Sequence, residues 1–201
     1  MGAPKKDHER FDSAYYARFY RNPRTRANDP AAAGRLAAFI AAYAAHLGIR
    51  IRRFVDVGCG TGDLVRALAR RLPSAKPEGV EISAWACRRY GWIQQSAEAF
   101  CAPDSYDLVL CADVLQYLDD AAATHALRNL CRSSRALLYI GARTQNDIAE
   151  HADPARSDLS GHYRSAAWYR RRLARSFVPL GSSLYIRRNL DLPTWELDRS
   201  T

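Results

Sequence analysis

From Ala31 onward, the apolar residues switch repeatedly between a helical and a strand-like spacing. Leu36, Phe39, Ile40, Tyr43 and Leu47 fall on one helical stripe, and Gly48 ends it. Arg53–Val57 (RFVDV) predicts a first strand, and Gly62–Leu72 a helix stopped before Pro73. Glu78–Ile82 predicts a second strand, followed by a helix over Ser83–Tyr90 with Ser83 as its N-cap. Trp92–Ser96 is a short third strand. Tyr106–Ala112 is a fourth, almost wholly apolar at its centre, as a strand buried on both faces requires. A helix over Asp119–Arg132, a fifth strand over Arg135–Ala142, a loop and a helix over Ser165–Arg175 follow. Ser176–Leu180 and Ser183–Asn189, joined through a Gly-Ser turn, predict a closing antiparallel hairpin. Five strands alternating with helices and two joined by a turn make an α/β fold: a doubly wound, seven-stranded, mostly parallel sheet. In such a sheet, ligands bind at the carboxyl ends of the strands, so candidate chemistry belongs just after strands one to four.

Residues 1–30 are polar, basic and aromatic, and read as an N-terminal lid or helical segment. Residues 31–201 read as a single domain, without internal repeats. The chain's 201 residues, 48% of them hydrophobic, are enough for one proper core. Ala31–Leu47 is too short, too Ala-rich and too interrupted by Arg35 and His46 to span a membrane, so no membrane partner is expected. The N-terminus carries no apolar leader, and five cysteines without a CxxC pair suit reduced thiols in the cytoplasm. The net charge of +9 raises nucleic acid or an acidic substrate as partners. Almost all of that charge is arginine in an alanine-rich chain, however, which compositional bias explains equally well.

The stretch FVDVGCGTGDL (Phe54–Leu64) places three glycines between a strand and a helix, the setting of a nucleotide loop. A hydride-transfer enzyme would show GxGxxG. Here position 63 is Asp, the third glycine comes early at Gly62, and the pattern is GxGxG behind Asp56. Acids flanking the loop disfavour a pyrophosphate and favour a ligand with an ammonium end. Glu81, at the end of the second strand, stands at the distance where a carboxylate receives the two hydroxyls of a ribose.

In these residues the chain resembles the class I S-adenosylmethionine-dependent methyltransferases of the small-molecule type, with their Rossmann-like fold. VDVGCGTGD is similar to that family's first motif and GVEIS to its second. SAEAF (Ser96–Phe100) lies where the adenine-contacting motif does, and YDLVLCADVLQYLDD (Tyr106–Asp120) resembles the fourth. The resemblance covers roughly residues 50–140. It implies S-adenosyl-L-methionine as cofactor, with Asp56, Gly58, Cys59, Gly60, Thr61 and Gly62 around its methionine end and ribose. Glu81 would take the ribose diol, Ile82 would pack on the adenine, and Ala97 and Glu98 would read its edge. Cys111 and Ala112 would pass beneath the amino group, with Gln116 beside them. Cys59 reads from its size as a small side chain turned into the core rather than a nucleophile.

Methyl transfer needs alignment and exclusion of water above all, and a base if the acceptor is a hydroxyl. Asp113 is a candidate base or electrostatic anchor, with capping of the next turn as its alternative, and His162 is the best-placed histidine. Gln116 cannot act as a base. Tyr16 and Arg26 are candidates to cover the cofactor and neutralise its carboxylate. Tyr15, Tyr20, Tyr117, Tyr163 and Trp168 are candidates to wall the acceptor, although Tyr15, Tyr16 and Tyr20 could equally pack an N-terminal helix on the core. The signatures expected of nucleic-acid and protein-arginine methyltransferases after the fourth strand are absent from CADV, which leaves a small-molecule acceptor, O- or N-directed. Asp113 with Gln145–Asp147 is reminiscent of a metal-assisted subtype, but its spacing and order do not match, so no metal is expected. An RNA-modifying enzyme and a cofactor-binding partner without catalysis are the alternatives.

Overall fold

The computed structural model describes residues 10–26, 29–154, 156–190 and 192. Lys5, Lys6 and His8 lie outside them. Its sheet has seven strands: β1 (Arg53–Val57), β2 (Lys76–Glu81), β3 (Ile93–Gln94), β4 (Tyr106–Ala112), β5 (Ser134–Gly141), β6 (Phe177–Gly181) and β7 (Leu184–Arg187). They lie in the order β3-β2-β1-β4-β5-β7-β6. The first five pair in parallel, and β7 runs antiparallel to both β5 and β6. The strand order reverses between β1 and β4, so the crevice at their carboxyl ends is the expected ligand position.

Both faces of the sheet are covered, and the period-2 alternation decides which residue faces which layer. Leu108 and Leu110 of β4 join Phe54 and Leu137 against α2 (Pro30–His46) and α3 (Asp63–Arg71). Val109 and Cys111 of the same strand join Val55, Val57, Leu138 and Ile140 against α5 (Asp120–Ser133) and α7 (Ala166–Leu173). Each fully buried leucine in this layer contributes roughly 2–3 kcal/mol. Asp29 caps α2 and Pro30 occupies its first turn, while Gly48 at φ +68° closes the turn that follows it. Ser83 caps α4 (Ala84–Tyr90), as its position in the sequence predicts.

One helix lies where the sequence reading expected loop. Residues Gln145–His151 form α6, begun by a capping box in which the Thr144 side chain receives the Asp147 N–H while Asp147 receives that of Thr144. Asp147 is committed to this cap, which removes it from the metal set weighed above. None of the α6 residues is buried, so the helix has no apolar stripe for periodicity to detect.

The N-terminal segment lies against the domain. The short α1 (Ser13–Tyr16), capped by Asp12, widens into a π-helical turn over Ala17–Arg21. Tyr16 stacks on Trp85 of α4 at 5.0 Å, and Ser83 Oγ donates to the Phe11 carbonyl at 2.5 Å. Arg10 pairs with Asp158 at 2.8 Å from the far side of the crevice.

Candidate functional site

The loop after β1 turns on three glycines in the left-handed region: Gly58 (φ +82°), Gly60 (φ +55°) and Gly62 (φ +79°). Space forbids side chains there as firmly as conformation does. A Cβ on Gly58 would meet Val114 Cγ2 at 2.1 Å, and one on Gly60 would meet the Tyr20 hydroxyl at 2.8 Å. A Cβ on Gly62 would meet Trp92 at 2.1 Å, and the same indole lies against Gly79 and donates to the Gly60 carbonyl at 3.0 Å. Gly58 and Cys59 donate their N–H groups to the Val80 carbonyl, tying the loop to β2. Cys59 is buried in the core, where burial pushes its thiol well up, as a structural rather than a nucleophilic cysteine requires. Thr61 Oγ1 donates to Asp63 Oδ2 at 2.9 Å.

Two buried carboxylates close on this loop. Glu81 receives the Gly60 N–H on Oε2 at 2.8 Å and the Ser83 N–H on Oε1 at 2.9 Å, with Tyr16 beside it. Burial raises its pKa, and these donors oppose the rise. Asp56, inside β1, is pushed up to about 7 by burial and then by the charge of Glu81. Among the described residues neither carboxylate is paired with a cation, a state that an incoming positive group would relieve.

Glu81 opens onto a cleft walled by Gly58, Ile82, Ala97, Val114 and Leu118 with Gln95 and Ser96 at its edge. Asp113 and Tyr117 belong to this cleft and also to a smaller chamber, which Tyr15, Phe19, Gln116, Arg143 and Asp158 complete. Arg143 Nε donates to Asp113 Oδ1 at 3.1 Å, and the Tyr15 and Tyr117 hydroxyls meet at 3.1 Å. Burial pushes Tyr15 up to about 12 and Tyr117 further, so both hydroxyls stay protonated.

The methyltransferase-domain family (Methyltransf_25) matches residues 54–136, the segment from the loop strand to the start of β5. This segment of the chain is similar to the methyltransferase-domain family. Curated methyltransferases are similar to part of the chain. A ubiquinone biosynthesis O-methyltransferase from Saccharophagus degradans is 33% identical over 90 residues, covering 37% of this chain and 36% of that protein. A trans-aconitate 2-methyltransferase from Pseudomonas paraeruginosa is 36% identical over 74 residues, covering 33% and 27%. These matches span about a third of each relative's length. In fold, the chain is similar to magnesium protoporphyrin IX methyltransferase from Synechocystis, crystallised with bound cofactor (TM-score 0.64, 18% identity, 93% of this chain and 100% of that one). It is also similar to a sugar N-methyltransferase from Streptoalloteichus (TM-score 0.66, 17% identity, 94% and 97%).

The structure gathers most of the predicted positions and separates a few. Gly58, Glu81, Ile82, Ala97, Asp113, Tyr15 and Tyr117 line the two spaces, while Asp56 and Tyr16 lie beside Glu81 and Tyr20 lies against Gly60. Cys111 is buried at the end of β4, next to the partly exposed Ala112. Glu98 does not converge. β3 ends at Gln94, and the turn opened by Ser96 buries Ala97 and leaves Glu98 exposed, so Gln95 and Ser96 line the edge instead. Arg26 pairs at 3.8 Å with Asp29 at the start of α2 and lines neither space. His162 is exposed, and its backbone N–H, not its ring, bonds to the Gln116 carbonyl at 2.6 Å. Trp168 lies between the guanidinium groups of Arg164 and Arg172, at 4.8 and 3.7 Å, and lines neither space. Tyr163 donates to the Asp158 carbonyl at 2.7 Å, bracing the chamber from behind.

Sequence reading passed over Arg164, whose buried guanidinium donates to the carbonyls of Leu115 (2.9 Å), Leu118 (2.5 Å) and His162 (3.2 Å) and pairs with Asp120 at 2.7 Å. It holds the turn after β4 on which Asp113, Gln116 and Tyr117 are mounted. A lone arginine in HYRS looks no different from those of the exposed Arg170–Arg172 run. Arg143 and Asp158 carried no signal either, since their partners lie 30 and 148 positions away.

Proposed function

We propose that this chain transfers the methyl group of S-adenosylmethionine to an oxygen or nitrogen of a small molecule, without a required metal. The observation that carries the reading is the junction of the two spaces, a cleft beginning at Glu81 and a smaller polar chamber, through Asp113 and Tyr117. Transfer between two bound molecules needs such a junction, with water excluded from it.

The residues present suit the cofactor. Glu81 stands at the start of the cleft, where a carboxylate suits the two hydroxyls of a ribose. Ile82, Ala97 and Leu118 offer apolar walls for a purine, and Gln95 and Ser96 offer polar groups for its edge. Asp56, buried without a cation, suits the ammonium end. Tyr16 and Tyr20 cover the ribose side and the Gly60 face, which supports reading residues 1–30 as a lid. When bound, S-adenosylmethionine supplies an electrophilic methyl carbon on a positively charged sulfur. Asp113 stands at the junction, and both of its side-chain contacts fall on Oδ1, so Oδ2 is the oxygen we assign to receive the acceptor's proton. The Arg143 pair fixes that carboxylate in place. The five free thiols support a reducing compartment such as the cytoplasm.

Calorimetric titration with S-adenosylhomocysteine and with NADH tests the reading. Binding of the first and not the second is expected. The reverse outcome would return the chain to the dinucleotide enzymes.

A further inference from the structure

Gln116 was expected beside the cofactor. The structure turns it into the second chamber instead, and it is 3% exposed there. Its Nε2 faces Asp113 Oδ1 at 3.5 Å. An ionised carboxylate only accepts, so the amide nitrogen must take that side, and Oε1 is thereby directed away from Asp113. Oε1 is buried and has no hydrogen-bond partner. Leaving such an acceptor unmet carries a desolvation cost that a bound ligand would remove.

The rest of the chamber narrows what that ligand is. Asp113 is matched by Arg143 and Asp158 by Arg10, which also donates to both oxygens of Ser160. No surplus charge is left for an ionic head group. The Tyr15 and Tyr117 hydroxyls are engaged with each other. Tyr15, Phe19 and Tyr117 supply aromatic wall, and Gly161 allows the chain behind Gln116 to approach within 3.1 Å of where its own Cβ would stand. What remains for a ligand is the Gln116 Oε1 acceptor, next to Asp113 Oδ2 and against an aromatic wall.

We propose that Gln116 selects the methyl acceptor: an uncharged, ring-bearing small molecule carrying an O–H or N–H that Gln116 Oε1 receives. The inference rests on the methyltransferase reading and deepens it. It accounts for a glutamine at a position that does no acid-base work, since an amide oxygen recognises a donor without competing for its proton.

Two matched probe pairs test it on the full chain saturated with S-adenosylhomocysteine: catechol against 1,2-dimethoxybenzene, and aniline against N,N-dimethylaniline. Affinities are read by saturation-transfer NMR. The donor-bearing member of at least one pair should bind about fivefold or more tighter, the value of one hydrogen bond. In Gln116→Met that preference should fall to near unity while calorimetric affinity for S-adenosylhomocysteine is unchanged. In Gln116→Glu, which keeps an acceptor oxygen, the preference should persist. Equal binding within both pairs, or an unchanged preference in Gln116→Met, overturns the assignment. Failure of S-adenosylhomocysteine to bind at all is a separate result, and it overturns the methyltransferase reading beneath it.

Discussion

The two sides of the crevice are built on different principles. The cofactor side is made by neighbours in the sheet. β1 and β2 are adjacent parallel strands, and their ends deliver the glycine loop and Glu81 through backbone geometry. The acceptor side is assembled by side chains from the N-terminal segment, the turn after β4, the end of β5 and the loop at 158–164. One side is fixed by where the chain can go, the other by which distant groups happen to meet. The first tolerates almost no substitution of its loop, while the second can be rebuilt one contact at a time.

The contrast breaks most visibly at Gly58. Alanine there must hold a left-handed conformation and displace Val114, for a combined cost of about 3 kcal/mol. Denaturant unfolding should show that loss, and S-adenosylhomocysteine binding should collapse with it. Stability within about 0.5 kcal/mol of the parent, the range of ordinary surface substitutions, would mean that the loop is not backbone-determined.

Arg164→Ala should cost nearly as much, about 2–3 kcal/mol, by stripping three carbonyls and Asp120 of their shared partner. Here the cofactor side should be spared, with S-adenosylhomocysteine affinity within about threefold of the parent. A parallel loss of both would merge the two regions into one.

The smallest effect sharpens the electrostatics of the cofactor side. With Asp56 pushed up to about 7, a ligand ammonium that requires its ionised form should bind roughly tenfold tighter at pH 8 than at pH 6. Asp56→Asn should flatten that profile, and a flat profile in the parent would remove Asp56 from the site. For the unliganded chain the sign is opposite. The folded state holds a proton that the unfolded state releases near pH 4, so this group's contribution to stability is lost as pH rises towards 7.

The same division governs what the sequence disclosed. All seven strands were legible: six carry buried positions whose apolar spacing says so, and the exposed two-residue β3 follows from its place in the alternation of strands and helices. The glycine loop was legible because only glycine tolerates those angles. Helix α6 was not, since an exposed seven-residue helix has no stripe. Its capping box, Thr144 with Asp147, was the readable sign, and Asp147 was instead weighed as a metal ligand. Glu98 and Gln95 show the limit in a short turn, where a one-residue change of direction decides which side chain faces inward. Arg10 and Asp158 show it over distance, since nothing local announces a partner 148 positions away.

Trp92 ties the loop to its own history. Its indole fills the space that side chains on Gly62 and Gly79 would need, and it holds the Gly60 carbonyl as well. Positions 62, 79 and 92 therefore cannot drift independently: a larger residue at either glycine becomes admissible only after the tryptophan has shrunk, and that change releases the loop. In a set of sequences descended from this chain, these three sites should vary together or not at all.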